Sequence, residues 1–204
     1  GRYAQQVAIK FLRSEWLRTG LEARFLREGQ ILARLEHPGI ARLLDSGIAP
    51  AGIPYLVLEY VEGEPITEVC RARRLGLAER LRLVLQVCDA VSYAHRHLVV
   101  HRDLKPSNIL VDQQGGVRLL DFGIGKLLDD VAGPDSTRTL LGALTPQYAS
   151  PEQISGRPIS TATDVYGLGL VLFELLTERR PYAVEASGAA ELALRREAQR
   201  VDLR

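Results

Sequence analysis

The stretch His101-Arg102-Asp103-Leu104-Lys105-Pro106-Ser107-Asn108, with Ile109 to Leu120 and then Asp121-Phe122-Gly123 behind it, decides how the rest of the chain is read. Ile109-Leu110-Val111 and Val117-Arg118-Leu119-Leu120 are short apolar-rich runs around Asp112-Gln113-Gln114-Gly115-Gly116, a spacing that predicts an antiparallel hairpin with a loop longer than the tightest type. Asn108 immediately precedes the first strand and Asp121 immediately follows the second, so the hairpin brings an amide oxygen and a carboxylate together at its open end. Two hard oxygen ligands at one edge suit Mg²⁺, which also takes phosphate oxygens and water. In the loop just before them, Asp103 can accept a proton and Lys105 can steady a transferring phosphoryl group. A polar turn that only caps a hairpin would use the same residue types.

Upstream, Val7 to Leu12 reads as a strand with Val7, Ile9 and Phe11 on one face and Ala8, Lys10 and Leu12 on the other. A helix follows whose stripe runs Leu21, Phe25, Glu28, Leu32, Leu35, and His37-Pro38-Gly39 stops it. Glu28 is a carboxylate on an otherwise apolar face, and with Lys10 it would make a semi-buried ion pair that leaves the lysine able to reach an anion. A surface lysine and a helix-edge glutamate with no connection would look the same. Ile40–Ser46 and Pro54–Tyr60 read as further strands, and Val61 to Pro65 as a connector between two lobes.

Downstream, a long helix is expected to bury Leu81, Val84, Leu85, Cys88, Val91 and Ala94. Gly123 to Tyr148 shows no strong periodicity, the pattern of a functional or disordered loop. Asp164 to Thr177 is apolar nearly all round and reads as a buried helix, and Ala189 to Arg204 as a helical tail. Strands come early and helices later, so the fold class expected is α+β in two lobes, 1–61 and 62–204.

At this point the motifs resemble a known family. His101 to Asn108 is similar to the catalytic loop of eukaryotic-type protein kinases, Asp121-Phe122-Gly123 to their magnesium-binding motif, and Val7-Ala8-Ile9-Lys10 to their phosphate-anchoring strand. Ser150-Pro151-Glu152 stands where the family usually has Ala-Pro-Glu. The motifs occur in the family's order and span essentially the whole chain. The resemblance implies that Asp103 orients and deprotonates a substrate hydroxyl, that Lys105 stabilises the γ-phosphate, and that Asn108 and Asp121 hold Mg²⁺. It implies that Lys10, positioned by Glu28, holds the α/β-phosphates of ATP. Ala8 would pack on the adenine, Glu59 and Val61 would offer it backbone hydrogen bonds, and Leu58 would be the gatekeeper. Leu32, Leu43, His101 and Phe122 would stack as a regulatory spine.

Lys105 within Asp-Leu-Lys-Pro-Ser-Asn, and Thr145-Pro146-Gln147-Tyr148, resemble the serine/threonine members, with Thr145 expected to bond Asp103 and Lys105. Leu144 replaces the family's usual glycine there. Arg102 is expected to pair with a phosphorylated Ser136, Thr137 or Thr139. The partners implied are protein substrates, with self-association for autophosphorylation as a further expectation. Two rivals stay open: a nucleotide-binding or scaffolding module without catalysis, and a kinase of small molecules. Glu152 is expected to lack the arginine partner the family provides, and the family's glycine-rich loop is expected before Val7.

Bulk properties narrow the classes. A formal charge of +1 predicts neither nucleic-acid nor membrane binding. With hydrophobic residues at 46% and charged residues at 25%, the composition is that of a globular protein. No apolar run approaches the roughly 20 residues that cross a bilayer. Cys70 and Cys88 have no metal-like spacing and read as free thiols of a reducing compartment, which points to a cytoplasmic chain or the cytoplasmic domain of an anchored parent. The absence of methionine is read as the mark of a segment of something longer. His95, His97 and His101 have a spacing that could suggest zinc, but a helix end that welcomes positive charge explains the first two as well. Trp16 reads as a packing aromatic, and Arg71-Ala72-Arg73-Arg74 as a solvated face.

Overall fold

The computed structural model describes residues 5–12, 22–50, 52–122 and 147–182. Strand β1 (Val7–Phe11), helix α1 (Glu22–Leu32), β2 (Leu43–Ile48) and β3 (Pro54–Glu59) come first. Then follow β4 (Gly63–Pro65), α2 (Ile66–Ala72), α3 (Leu77–Arg96), β5 (Ile109–Asp112), β6 (Val117–Leu119), α4 (Pro151–Ile154) and α5 (Thr161–Thr177).

The first sheet has the order β1-β3-β2, both pairs antiparallel, with Lys10 opposite Leu56 and Ala8 opposite Leu58. Directly opposed residues share a face, so Lys10 stands on the side where Leu56 meets Leu12, Phe25 and Leu43 in a small core roofed by α1. The other face of β1 is open among the described residues: Val7, Ile9 and Phe11 are all exposed. The segment expected as one strand from Ile40 to Ser46 is split. Ile40 makes an isolated bridge to Leu119, and β2 starts at Leu43 with an irregularity before Asp45.

The second sheet has the order β4-β5-β6. The expected hairpin is there, with Ile109 opposite Leu119 and Val111 opposite Val117. Strand β4 was expected to be part of a connector. Instead it pairs Gly63 with Asp112 and Pro65 with Leu110, and glycine permits this: a Cβ at position 63 would lie 2.8 Å from the Val111 carbonyl oxygen. Gly39 and Ala41 tie the two sheets together, since Leu119 N–H donates to Gly39 O at 2.8 Å and Ala41 N–H to Leu119 O at 2.9 Å.

The larger core lies between this sheet, α2, α3 and α5. Helix α3 buries Leu83, Val87, Ala90, Val91 and Ala94, whereas Leu81 and Leu85, expected inside, are exposed. The stripe is rotated because Leu83, Val87, Ala90, Val91 and Ala94 follow the 3-4 spacing that faces the hairpin and α5. Helix α5 buries Thr163, Asp164, Gly167, Val171 and Leu175 along one line. It is less enclosed than its composition suggests, because Val165, Phe173 and Leu176 are exposed among the described residues. Its C-terminal end is closed by Arg80, which donates to Leu175 O at 2.5 Å and pairs with Glu178, itself left-handed at φ 56°.

Candidate active site

The segment 101–108 enters the hairpin through a short 3₁₀ turn, Pro106–Asn108, with proline in its first position, where a missing N–H costs nothing. Asn108 is buried, and its backbone carbonyl accepts from Leu120 N–H at 2.9 Å, which carries the ladder one pair beyond the strands. Asn108 and Asp121 therefore flank the open end of the hairpin. The Asn108 amide donates to Asp103 O at 2.9 Å and to Asp103 Oδ2 at 3.0 Å. That orientation fixes its nitrogen on Asp103 and leaves its oxygen as the atom for a cation. Lys105 Nζ stands 2.9 Å from Asp103 Oδ2. A carboxylate, an ammonium and an amide thus converge where the sequence placed them.

The backbone here is gripped from below. Asp164, 1% exposed at the start of α5, accepts from His101 N–H at 2.7 Å, from Arg102 N–H at 2.8 Å and from His95 Nε2 at 2.7 Å. Gly167, one turn on, lets α5 approach: a Cβ there would meet Leu104 Cβ at 3.1 Å. Arg102 and Asp121 both hold left-handed backbones, φ 66° and 55°, which non-glycine residues keep only where surrounding contacts enforce them. His101 is fully buried. Its Nε2 donates to Leu120 O at 2.9 Å, leaving Nδ1 to accept from Asp103 N–H at 3.3 Å. The ring also meets Phe122, with centroids 4.6 Å apart. Leu32, Leu43 and Phe122 line one cavity with Asp121, between α1, the first sheet and the hairpin end.

The expected pair of Lys10 with Glu28 is not formed. Lys10 Nζ lies 2.9 Å from Asp121 Oδ2, and half-buried Glu28 has no ion-pair partner among the described residues. The carboxylate that meets the ammonium is that of Asp121, whose backbone is left-handed. Ala8 shares Lys10's face of β1, with Leu58 opposite it. Val61 is half-buried just past β3.

Glu59 has a further role that the sequence reading missed. Its carboxylate accepts from Arg42 N–H at 3.1 Å and meets Arg118 at 2.5 Å, bridging the first sheet to the hairpin. Glu152 accepts from Thr163 Oγ1 at 2.6 Å, which ties α4 to α5. Thr145 and Leu144 lie outside the described residues, as do Ser136, Thr137, Thr139, Gly123, Trp16 and the expected tail helix.

Among the described residues, no group of three or more His, Cys, Asp or Glu side chains could hold a metal alone. The histidines are engaged elsewhere, His95 on Asp164, His97 on Tyr93 O and His101 on Leu120 O. The one carboxylate and one amide at the hairpin end fit a cation that completes its shell with phosphate and water oxygens. Among the described residues, no helix is long and apolar enough to cross a membrane.

Comparison with known proteins agrees with this geometry. The profile of the protein kinase domain matches residues 2–202. A protein named probable serine/threonine-protein kinase from Streptomyces coelicolor is 40% identical over 186 residues, covering 89% of this chain and 28% of its own length. Serine/threonine-protein kinase PknB of Mycolicibacterium smegmatis is 37% identical, over 89% of this chain and 30% of its own length. The chain thus spans under a third of these relatives. The crystal structure of a cysteine-to-alanine mutant of the Mycobacterium tuberculosis PknI kinase domain superposes with a TM-score of 0.69 at 28% identity, covering 89% of this chain and 67% of that one.

Proposed function

The chain belongs to the protein kinase family, and from that premise we propose that it transfers the γ-phosphate of ATP to serine and threonine hydroxyls of proteins. The observation that carries the reading is the convergence of Lys105 and Asn108 on the Asp103 carboxylate, at 2.9 Å and 3.0 Å. Such a carboxylate is held in one orientation, ready to align an incoming hydroxyl and take its proton. Lys105 beside it would offset charge on the transferring group.

Asn108 and Asp121 would hold Mg²⁺, which would supply positive charge to offset that of the phosphates. Lys10 would hold the α/β-phosphates, with Ala8, Glu59 and Val61 around the adenine. In the geometry seen here Lys10 is on Asp121, and the phosphate-holding arrangement would have Lys10 paired with Glu28 as well. Thr145 would link the protein-docking segment to Asp103 and Lys105. Phosphorylation between two copies at Ser136, Thr137 or Thr139 would bring a negative charge to Arg102. The same reading puts the chain in the cytoplasm, where ATP is available and thiols such as Cys70 and Cys88 stay reduced.

The test is labelled Mg²⁺-ATP offered with a mixed basic protein substrate and, separately, with small alcohols. Labelled phosphoserine or phosphothreonine in the protein supports the reading. Label in small alcohols alone would replace it with a small-molecule kinase, and ATP binding without transfer would replace it with a nucleotide-binding module.

A further inference from the structure

We propose that Gln153 is a positioning residue for Asp103, acting through the carbonyl of Arg102; the proposal rests on the phosphotransfer reading above. Gln153 sits in α4, just after the Ser150-Pro151-Glu152 motif. Its Nε2 donates to Arg102 O at 2.7 Å, across a separation of 51 residues, and its Oε1 accepts from Ser150 N–H at 2.9 Å. Ser150 is fully buried and its hydroxyl accepts from Gln153 N–H at 3.4 Å, so a reciprocal cap holds the glutamine side chain in place.

The Arg102 carbonyl belongs to the peptide plane whose nitrogen is that of Asp103. That plane is held at both edges: its oxygen by Gln153 at 2.7 Å and its N–H by His101 Nδ1 at 3.3 Å. The preceding plane is held through Arg102 N–H on Asp164 Oδ1 at 2.8 Å. Between them Arg102 keeps φ at 66°, a conformation a non-glycine residue leaves when its contacts are withdrawn. Rotation of the Arg102–Asp103 plane swings the Cα–Cβ bond of Asp103 and moves its carboxylate off the line of attack. Gln153 therefore couples α4, which follows the expected protein-docking segment, to the backbone under the carboxylate.

The side chain must donate and accept at once, which a carboxamide does and an ionised carboxylate does not. This separates the proposal from a purely local role. If Gln153 only capped α4, Gln153→Glu would be harmless, because glutamate fills the same capping position and its charge suits a helix N-terminus. If it acts through Arg102, the same substitution sets a carboxylate against a carbonyl.

The experiment compares the chain with its Gln153→Glu variant in three measurements: kcat against KM for ATP, thermal midpoint, and hydrogen exchange at the Arg102 and Asp103 amides. The expected result is a kcat lower by on the order of tenfold, KM for ATP within about twofold, an unchanged midpoint, and faster exchange at both amides. A kcat within about twofold of the parent chain, or unchanged exchange, overturns the proposal. Should the parent chain show no transfer that depends on Asp103, the function reading fails instead, and the exchange measurement still decides whether Gln153 holds this backbone.

Discussion

Replacing Asp164 with asparagine should loosen the 101–108 loop while preserving shape and volume. Its Oδ2 takes two donors, His101 N–H and His95 Nε2, both at 2.7 Å, and its Oδ1 takes Arg102 N–H at 2.8 Å. Asparagine has one oxygen. If that oxygen stays with the pair, the new NH₂ group faces Arg102 N–H; if it turns to Arg102, the NH₂ group faces the pair. Either way at least one bond becomes a donor–donor contact in a site 1% exposed, and the others lose their charge assistance. A hydrogen bond to a charged group contributes about 1.5–3 kcal/mol, and breaking a buried charged contact costs about 3–5 kcal/mol. We therefore expect Asp164→Asn to lower unfolding stability by about 3 kcal/mol. Because the freed amides are those of His101 and Arg102, kcat should fall by on the order of a hundredfold. Urea unfolding gives the first quantity and steady-state transfer the second. His95→Asn serves as the partial case: it withdraws one donor, keeps both backbone bonds, and should cost about 1.5 kcal/mol with kcat near that of the parent. Asp164→Asn within about 1 kcal/mol of the parent with unchanged transfer would refute the reasoning. So would His95→Asn matching it in full, because the carboxylate would then serve α3 and not the loop.

Two further predictions concern pH. Burial, the hydrogen bond to Glu174 and that residue's negative charge hold the Tyr148 phenol well above its ordinary range. Its folded pKa exceeds the unfolded one, so its contribution is whole below about pH 10 and is lost as pH rises beyond that; Tyr148→Phe should flatten the alkaline limb of a stability–pH curve. Glu178 runs the other way. Its hydrogen bond to Arg80, and then the Arg80 charge, push its carboxyl down, so its contribution is present above the ordinary glutamate range and is lost as pH falls through the lowered value. Glu178→Gln should remove that part of the acid limb, and an unchanged limb would show that the Arg80 contact does not hold the end of α5.

What was legible in the sequence was what local pattern encodes. The hairpin followed from two apolar runs around a glycine loop, and once its register was set Asn108 and Asp121 had to fall at its open end. Strand β4 was hidden because Gly63-Glu64-Pro65 has poor strand propensity and pairs only because a glycine lets the backbones approach. Asp164 and Gln153 were hidden for another reason: both act on backbone groups, 62 and 51 residues away for Arg102, and a backbone amide or carbonyl leaves no mark in a sequence. A carboxylate opening an apolar helix was a usable signal for Asp164, as it was for Glu28, but at a helix N-terminus it also reads as a dipole residue. The charges of the site were all readable. Which of them pair was not, because Lys10 has two carboxylates to choose from and the structure has it on Asp121.

The most direct measurement is transfer of labelled γ-phosphate from Mg²⁺-ATP to protein by the chain and by its Asp103→Asn variant, with ATP binding measured on both. The account predicts phosphoserine or phosphothreonine from the parent chain, loss of that label in the variant, and ATP binding kept in both. Equal transfer by the variant would contradict the role given to Asp103, and ATP binding without transfer by the parent chain would contradict catalysis itself.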